Sequence, residues 1–176
     1  MRIAVSGTHH SGKSTLVEAL EKELKGYVAM DEPYFLLEQE GYIFSDPPVV
    51  ADFEEQFWYC LDLIEESGPN VLLDRCPLDF LAYAMVISKK VDVVSWIEEM
   101  EEALAFLDLI VFLPIESPDR ISVPSSENEK FRKKANEKME ELILDDSLGI
   151  LGKIKVLEVE GDLESRVRLV RLGMES

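Results

Sequence analysis

Short apolar runs punctuate the chain at residues 2–6, 27–30, 71–74, 109–113 and 154–159, and the stretches between them carry apolar side chains at helical spacing. Runs of that length read as strands, and their alternation with helical segments predicts a parallel sheet joined by crossover helices. Val50, Phe53, Phe57, Cys60 and Ile64 fall on one helical face, and Val93, Ile97, Met100, Leu104 and Leu107 fall on another. Residues 78–87 are apolar almost all round, the pattern of a helix packed between the sheet and a further element, with Pro77 placed to open it. The expected fold is a three-layer α/β architecture, a doubly wound parallel sheet of about five strands.

Residues 41–48, 114–128 and 147–152 are rich in Gly, Pro, Ser or Asp and read as loops. The middle one is long for a compact domain, and such loops are functional lids or disordered segments. A chain of 176 residues fits one domain spanning residues 1–176, with a lid expected at about 116–131.

Charge narrows the partners. Against 18 basic side chains stand 36 acidic ones, a formal charge of -18, which repels polyphosphate backbones and anionic lipid. Neither a nucleic-acid polymer nor a membrane surface is an expected partner; a homodimer is left open. No apolar run approaches the ~18 residues of a membrane span, and Met1 leads directly into a strand-like segment, so a soluble, cytoplasmic protein is expected. Cys60 and Cys76 show no CxxC or Cys/His metal spacing and read as reduced, core-lining residues.

The chemistry begins at Gly7-Thr8-His9-His10-Ser11-Gly12-Lys13-Ser14, which matches GxxxxGKS between the first strand and the helical run 15–24. A loop that binds phosphate must bring backbone N–H groups close to the oxygens, and a side chain at either glycine obstructs that approach. The following helix, with Thr15 in its first turn, aims its positive dipole end at the same oxygens. Lys13 supplies a mobile charge for the β- and γ-phosphates, and the Ser14 hydroxyl suits Mg²⁺. His9 and His10 occupy variable positions and read as nucleotide-adjacent spacers. ATP and Mg²⁺ are the expected cofactors.

Ligands in open parallel sheets gather beyond the carboxyl ends of strands, and two further stations stand there. The second strand runs into Asp31-Glu32-Pro33, where Glu32 is placed to accept a proton from an acceptor hydroxyl. The third ends in Asp74-Arg75, an acid for the Mg²⁺ shell and a cation for a transferring phosphate. Asp79 and Tyr83 lie at i and i+4 of the apolar helix, where a buried acid or phenol needs a partner. Asp79 is a candidate acceptor-binding residue, and a helix-start cap explains it nearly as well. No Lys or Arg occurs from Gly26 through Asp74, whereas Arg120, Lys130, Arg132, Lys133 and Lys134 cluster at the long loop. Such a cluster suits a lid that neutralises developing charge, with Arg120 and Arg132 as its candidate catalytic cations.

With those residues in place the chain resembles the P-loop small-molecule kinases, in particular the group of deoxynucleoside kinases, thymidylate kinases and ribosylnicotinamide kinases. The resemblance covers nearly the whole length. It rests on GTHHSGKST, Asp31-Glu32-Pro33, the helix with Phe53 and Gln56, Asp74-Arg75 opening DRCPLDFLAY, the Arg120–Arg132 stretch and EGDLESR. It implies that Glu32 acts as general base or Mg²⁺-shell ligand, that Gln56 reads the base of the acceptor, and that the loop at Gly161 and Asp162 lies against adenine. The sequence departs from each subgroup: Asp31 stands where thymidylate kinases carry a basic residue, and Asp74-Arg75-Cys76 where deoxynucleoside kinases favour Glu-Arg-Ser. The implied activity is transfer of the γ-phosphoryl of ATP to a nucleoside or nucleoside-like metabolite, with a nucleoside monophosphate kinase or a nucleotide-hydrolysing switch as alternatives.

Overall fold

The computed structural model describes residues 1–124 and 128–175. Five strands form one parallel sheet: β1 (Arg2–Ser6), β2 (Val28–Met30), β3 (Val71–Asp74), β4 (Leu109–Phe112) and β5 (Lys155–Glu158), in the spatial order β2-β3-β1-β4-β5. All five were legible as apolar runs, and the ladder extends a residue past the ends of β3, β4 and β5, with Arg75 N–H donating to Val5 O at 3.1 Å. Leu113 N–H donates to Ser6 O at 2.9 Å and Val159 N–H to Phe112 O at 2.9 Å.

Alternation of side chains along the strands builds two cores. Ile3 and Val5 of β1, Leu72 of β3 and Leu109 and Val111 of β4 pack against Leu16, Val17 and Leu20 of α1 (Lys13–Glu23) and Val170 of α7 (Leu163–Glu175). Ala4, Val71, Leu73, Ile110 and Phe112 face the other way, onto α3 (Val50–Glu66), α4 (Pro77–Ile87), α5 (Val93–Leu104) and α6 (Glu129–Ile143). Helix α4 is buried from Pro77 through Ala84, between the sheet and its neighbours α3 and α6, which explains why it is apolar all round. Cys60 and Cys76 lie in this core as free thiols.

One helix has no counterpart in the sequence pattern: α2 (Pro33–Gln39) begins at the Glu32-Pro33 pair. Seven residues are too few to display a period, and Phe35 is exposed, so no apolar stripe announces it. The loop 41–48 follows without regular structure, apart from turns. Among the described residues no helix is long and apolar enough to cross a membrane. Of the lid expected at 116–131, residues 125–127 lie outside the described residues; 115–124 run without helix or strand, and α6 takes over at Glu129.

Candidate active site

The sheet order puts the ends of β1 and β3 side by side, since Val5 is paired with Asp74. The loop after β1 and the Asp74-Arg75 pair therefore share one edge. Gly7 adopts φ +143°, and a Cβ there would stand 2.6 Å from Leu113 O and 2.8 Å from Ser11 Oγ. Gly12, the residue before α1, adopts φ +88°, and a Cβ there would meet Arg166 Nη1 at 3.0 Å. Both glycines of the motif are thus required by backbone conformation and by space. Gly12 also brings no capping side chain, so the first turn of α1 opens onto the loop without a side-chain cap.

Cations take every carbonyl of the loop from Gly7 to Ser11. Arg75 Nη1 donates to Gly7 O at 2.8 Å, and Lys13 Nζ to Thr8 O at 2.7 Å. Arg132 donates from Nε to His9 O at 3.1 Å and from Nη2 to His10 O at 2.9 Å. Arg166 Nη1 reaches Ser11 O at 2.8 Å. The three arginines are buried, and each is paired with a carboxylate: Arg75 with Glu32 at 2.7 Å, Arg132 with Asp119 at 2.6 Å and Arg166 with Glu116 at 2.9 Å.

Helix α4 supports the loop from below. Asp79 accepts from the Ser6 hydroxyl and, at 3.4 Å, from Gly7 N–H, with Arg75 Nη1 3.6 Å away. Burial lifts the Asp79 carboxyl to about 6, against the pull of Arg75 and the Ser6 hydrogen bond. One turn on, the Tyr83 hydroxyl accepts from His9 N–H at 2.8 Å and meets His9 Nδ1 at 2.8 Å. Its ring stacks with Phe53 at 5.1 Å and with Phe131 at 5.8 Å.

Lys13 is buried, and burial, aided by the nearby charge of Arg75, lowers its ammonium to about 8 although Asp74, Glu32 and Asp79 pull the other way. Ser14 Oγ donates to Asp74 Oδ2 at 2.5 Å, while Asp74 Oδ1 is buried with no hydrogen-bond partner. Burial raises the Asp74 carboxyl despite Lys13 and Arg75. A buried, unpartnered carboxylate oxygen beside a serine hydroxyl is the donor set a hard divalent cation takes, so Ser14 and Asp74 fit Mg²⁺. For Glu32, burial is outweighed by Arg75 and Lys13, which hold the carboxyl below its usual range, so it is ionised at neutral pH.

Several expected residues take other places. Asp79 was expected on the acceptor; it is fully enclosed and spends its oxygens on Ser6, Gly7 and Arg75, so it positions the loop. Arg75 and Arg132, expected on transferring phosphate, give their donors to loop carbonyls and carboxylates. Arg120 is exposed, and its Nε donates to Glu116 Oε2 at 2.5 Å. Gln56 is buried on α3 as the pattern required, but its Nε2 turns back to Asp52 O at 2.9 Å. Asp162 accepts from Ser165 N–H at 2.8 Å at the start of α7, and Gly161 N–H donates to Glu116 Oε1 at 2.8 Å. Thr8 is buried; Thr15, His10 and Asp31 are exposed. Glu116, Asp119 and Arg166 also hold the site together, and the sequence pattern does not single them out. Arg166 had a signal: it shares the buried face of α7 with Val170 and Gly173, where a cation needs a partner.

Strand, glycine loop, helix and the acid of β3 together define a P-loop domain. The chain belongs to the AAA domain family, whose model matches residues 2–166. No curated protein matches it. Deoxyadenosine kinase from M. mycoides, solved with the products dCMP and dCDP, is similar at a TM-score of 0.70 and 18% identity, with 99% of each chain covered. Thymidylate kinase from Candida albicans is similar at 0.63 and 16% identity, over 99% of this chain and 90% of that one. The NadR protein solved with NAD and AMP-PNP is similar at 0.70 and 19% identity, over 99% of this chain and 49% of that one. At these identities the likeness establishes a kinase-type P-loop fold.

The lowered Lys13 ammonium carries a stability consequence. Between pH 8 and 10.5 the unfolded chain keeps a proton that the folded chain releases, so this group makes stability rise with pH across that window. Lys13→Met is therefore expected to stabilise the nucleotide-free protein at pH 7 by about 3 kcal/mol, with the gain fading toward pH 10. Urea denaturation at both pH values checks this; a variant less stable than wild type at pH 7 contradicts it.

Proposed function

We propose that the protein is a kinase that transfers the γ-phosphoryl group of ATP to a hydroxyl of a small nucleoside-like metabolite. The observation that carries this reading is the joint placement of Lys13, the Ser14–Asp74 pair and the Glu32–Arg75 pair at one sheet edge, with the loop carbonyls held by cations. Lys13 releases Thr8 O as phosphate enters and follows the γ-phosphoryl charge. Ser14 and Asp74 would hold Mg²⁺, whose charge neutralises the β- and γ-oxygens. Arg75 fixes the Glu32 carboxylate at 2.7 Å. The acceptor oxygen forms the new bond to γ-phosphorus as the bond to the β–γ bridging oxygen breaks, ADP leaves with that electron pair, and Glu32 takes the hydroxyl proton.

An ionised carboxylate held by arginine is a weak base, which suits a late proton transfer in a loose transition state. Glu32→Gln is expected to lower kcat about a hundredfold while the KM for ATP stays within twofold. Asp74→Asn is expected instead to raise the Mg²⁺ concentration for half-maximal rate, since it weakens the metal shell. Indistinguishable effects of the two variants on both parameters contradict the separate roles.

The acceptor in this reading bears no phosphate before the reaction. A phosphomonoester dianion is held by arginine forks or lysines. The segment from β2 through β3 contributes no Lys or Arg between Gly26 and Asp74, and the neighbouring Arg75 and Arg132 are engaged by loop carbonyls and carboxylates. A neutral nucleoside or a cationic one, such as a pyridinium riboside, suits these surroundings. Steady-state kinetics on matched nucleoside and monophosphate pairs is expected to give the higher kcat/KM for the nucleoside. A preference for the monophosphate overturns the acceptor assignment, and ATP consumption that no acceptor stimulates overturns the kinase reading.

A further inference from the structure

Of the three carboxylates that pair with the loop-holding arginines, Glu116 alone among the described residues also grips the turn between β5 and α7. Its side chain is 10% exposed. Oε1 accepts from Arg166 Nη2 at 2.9 Å and from Gly161 N–H at 2.8 Å, while Oε2 accepts from Arg120 Nε at 2.5 Å. The other end of the Arg166 guanidinium donates to Ser11 O. One carboxylate thus joins the phosphate loop, the Gly161 turn and the segment after β4. Ile121 of that segment lies against the loop as well, with Cδ1 3.1 Å from where a Cβ of Gly12 would stand.

We infer that Glu116 is a positioning residue for the nucleotide: by holding Arg166 and the Gly161 amide together it fixes the phosphate loop against the turn between β5 and α7. This rests on the reading of the site as an ATP site. The geometry is specific to a carboxylate, because three donors converge on two oxygens and two of them are guanidinium groups. A glutamine there places an NH₂ against at least one of those donors. The hydrogen bonds from Gly161, Arg166 and Arg120 outweigh burial and hold the Glu116 carboxyl below its usual range. The carboxylate is therefore ionised at neutral pH.

The test is calorimetric titration of the full chain with ADP and Mg²⁺, alongside steady-state KM values. Glu116→Gln is expected to weaken ADP binding about tenfold and to raise the KM for ATP by a similar factor, with the KM for the acceptor unchanged. Arg166→Lys keeps the charge but loses the fork, and it is expected to weaken ADP binding comparably. The double variant is expected to be no worse than Arg166→Lys alone, because both changes break one connection. Unchanged ADP affinity in Glu116→Gln, or losses that add in the double variant, overturns the inference while leaving the ATP site intact. A wild-type chain that binds no ADP overturns the site reading itself, and this inference with it.

Discussion

The loop after β1 is held by three buried arginines, each paired with a carboxylate, and the rest of the site depends on them. A carbonyl oxygen repels phosphate, so a loop that binds an anion has to turn its carbonyls away and its amides inward. Here Arg75, Arg132 and Arg166 engage the carbonyls of Gly7, His9, His10 and Ser11, and each guanidinium is neutralised by Glu32, Asp119 or Glu116. Burying three such cations unpaired would cost several kcal/mol each, which is why every one has an acid within hydrogen-bond reach. Lys13 donates to Thr8 O, and its burial, with the charge of Arg75 nearby, lowers its ammonium.

This arrangement divides the cations of the site by task. The arginines shape the loop, and in the proposed reaction Lys13 is the charge that follows the phosphate. The same division links the loop to the end of β2, where Glu32 neutralises Arg75. It links the site to the segment after β4 as well, through Glu116 and Asp119. Displacing either segment would leave a buried guanidinium without its partner.

Much of this was legible in the chain. Strand-length apolar runs fixed the sheet, since a parallel sheet covered on both faces needs side chains such as Ile3, Ala4 and Val5 to be apolar throughout. The glycine loop and the acids closing β2 and β3 were legible because their chemistry demands particular residues at particular spacings. Partner choice was not legible. Arg132 and Arg166 sit on the apolar faces of α6 and α7, which marks them as buried cations. That they would hold backbone carbonyls depends on a tertiary contact more than a hundred residues away along the chain. Asp79 likewise reads as a cap or a ligand by position, and only the register of α4 beneath the loop assigns it to Ser6 and Gly7.

In the proposed site the arginines serve the loop and not the phosphates. A crystal structure with a non-hydrolysable ATP analogue and Mg²⁺ tests it most directly. Lys13 Nζ is expected to leave Thr8 O for the phosphates while Arg75, Arg132 and Arg166 stay on the carbonyls of Gly7, His9, His10 and Ser11. Guanidinium groups that swing off those carbonyls to contact phosphate oxygens would contradict it.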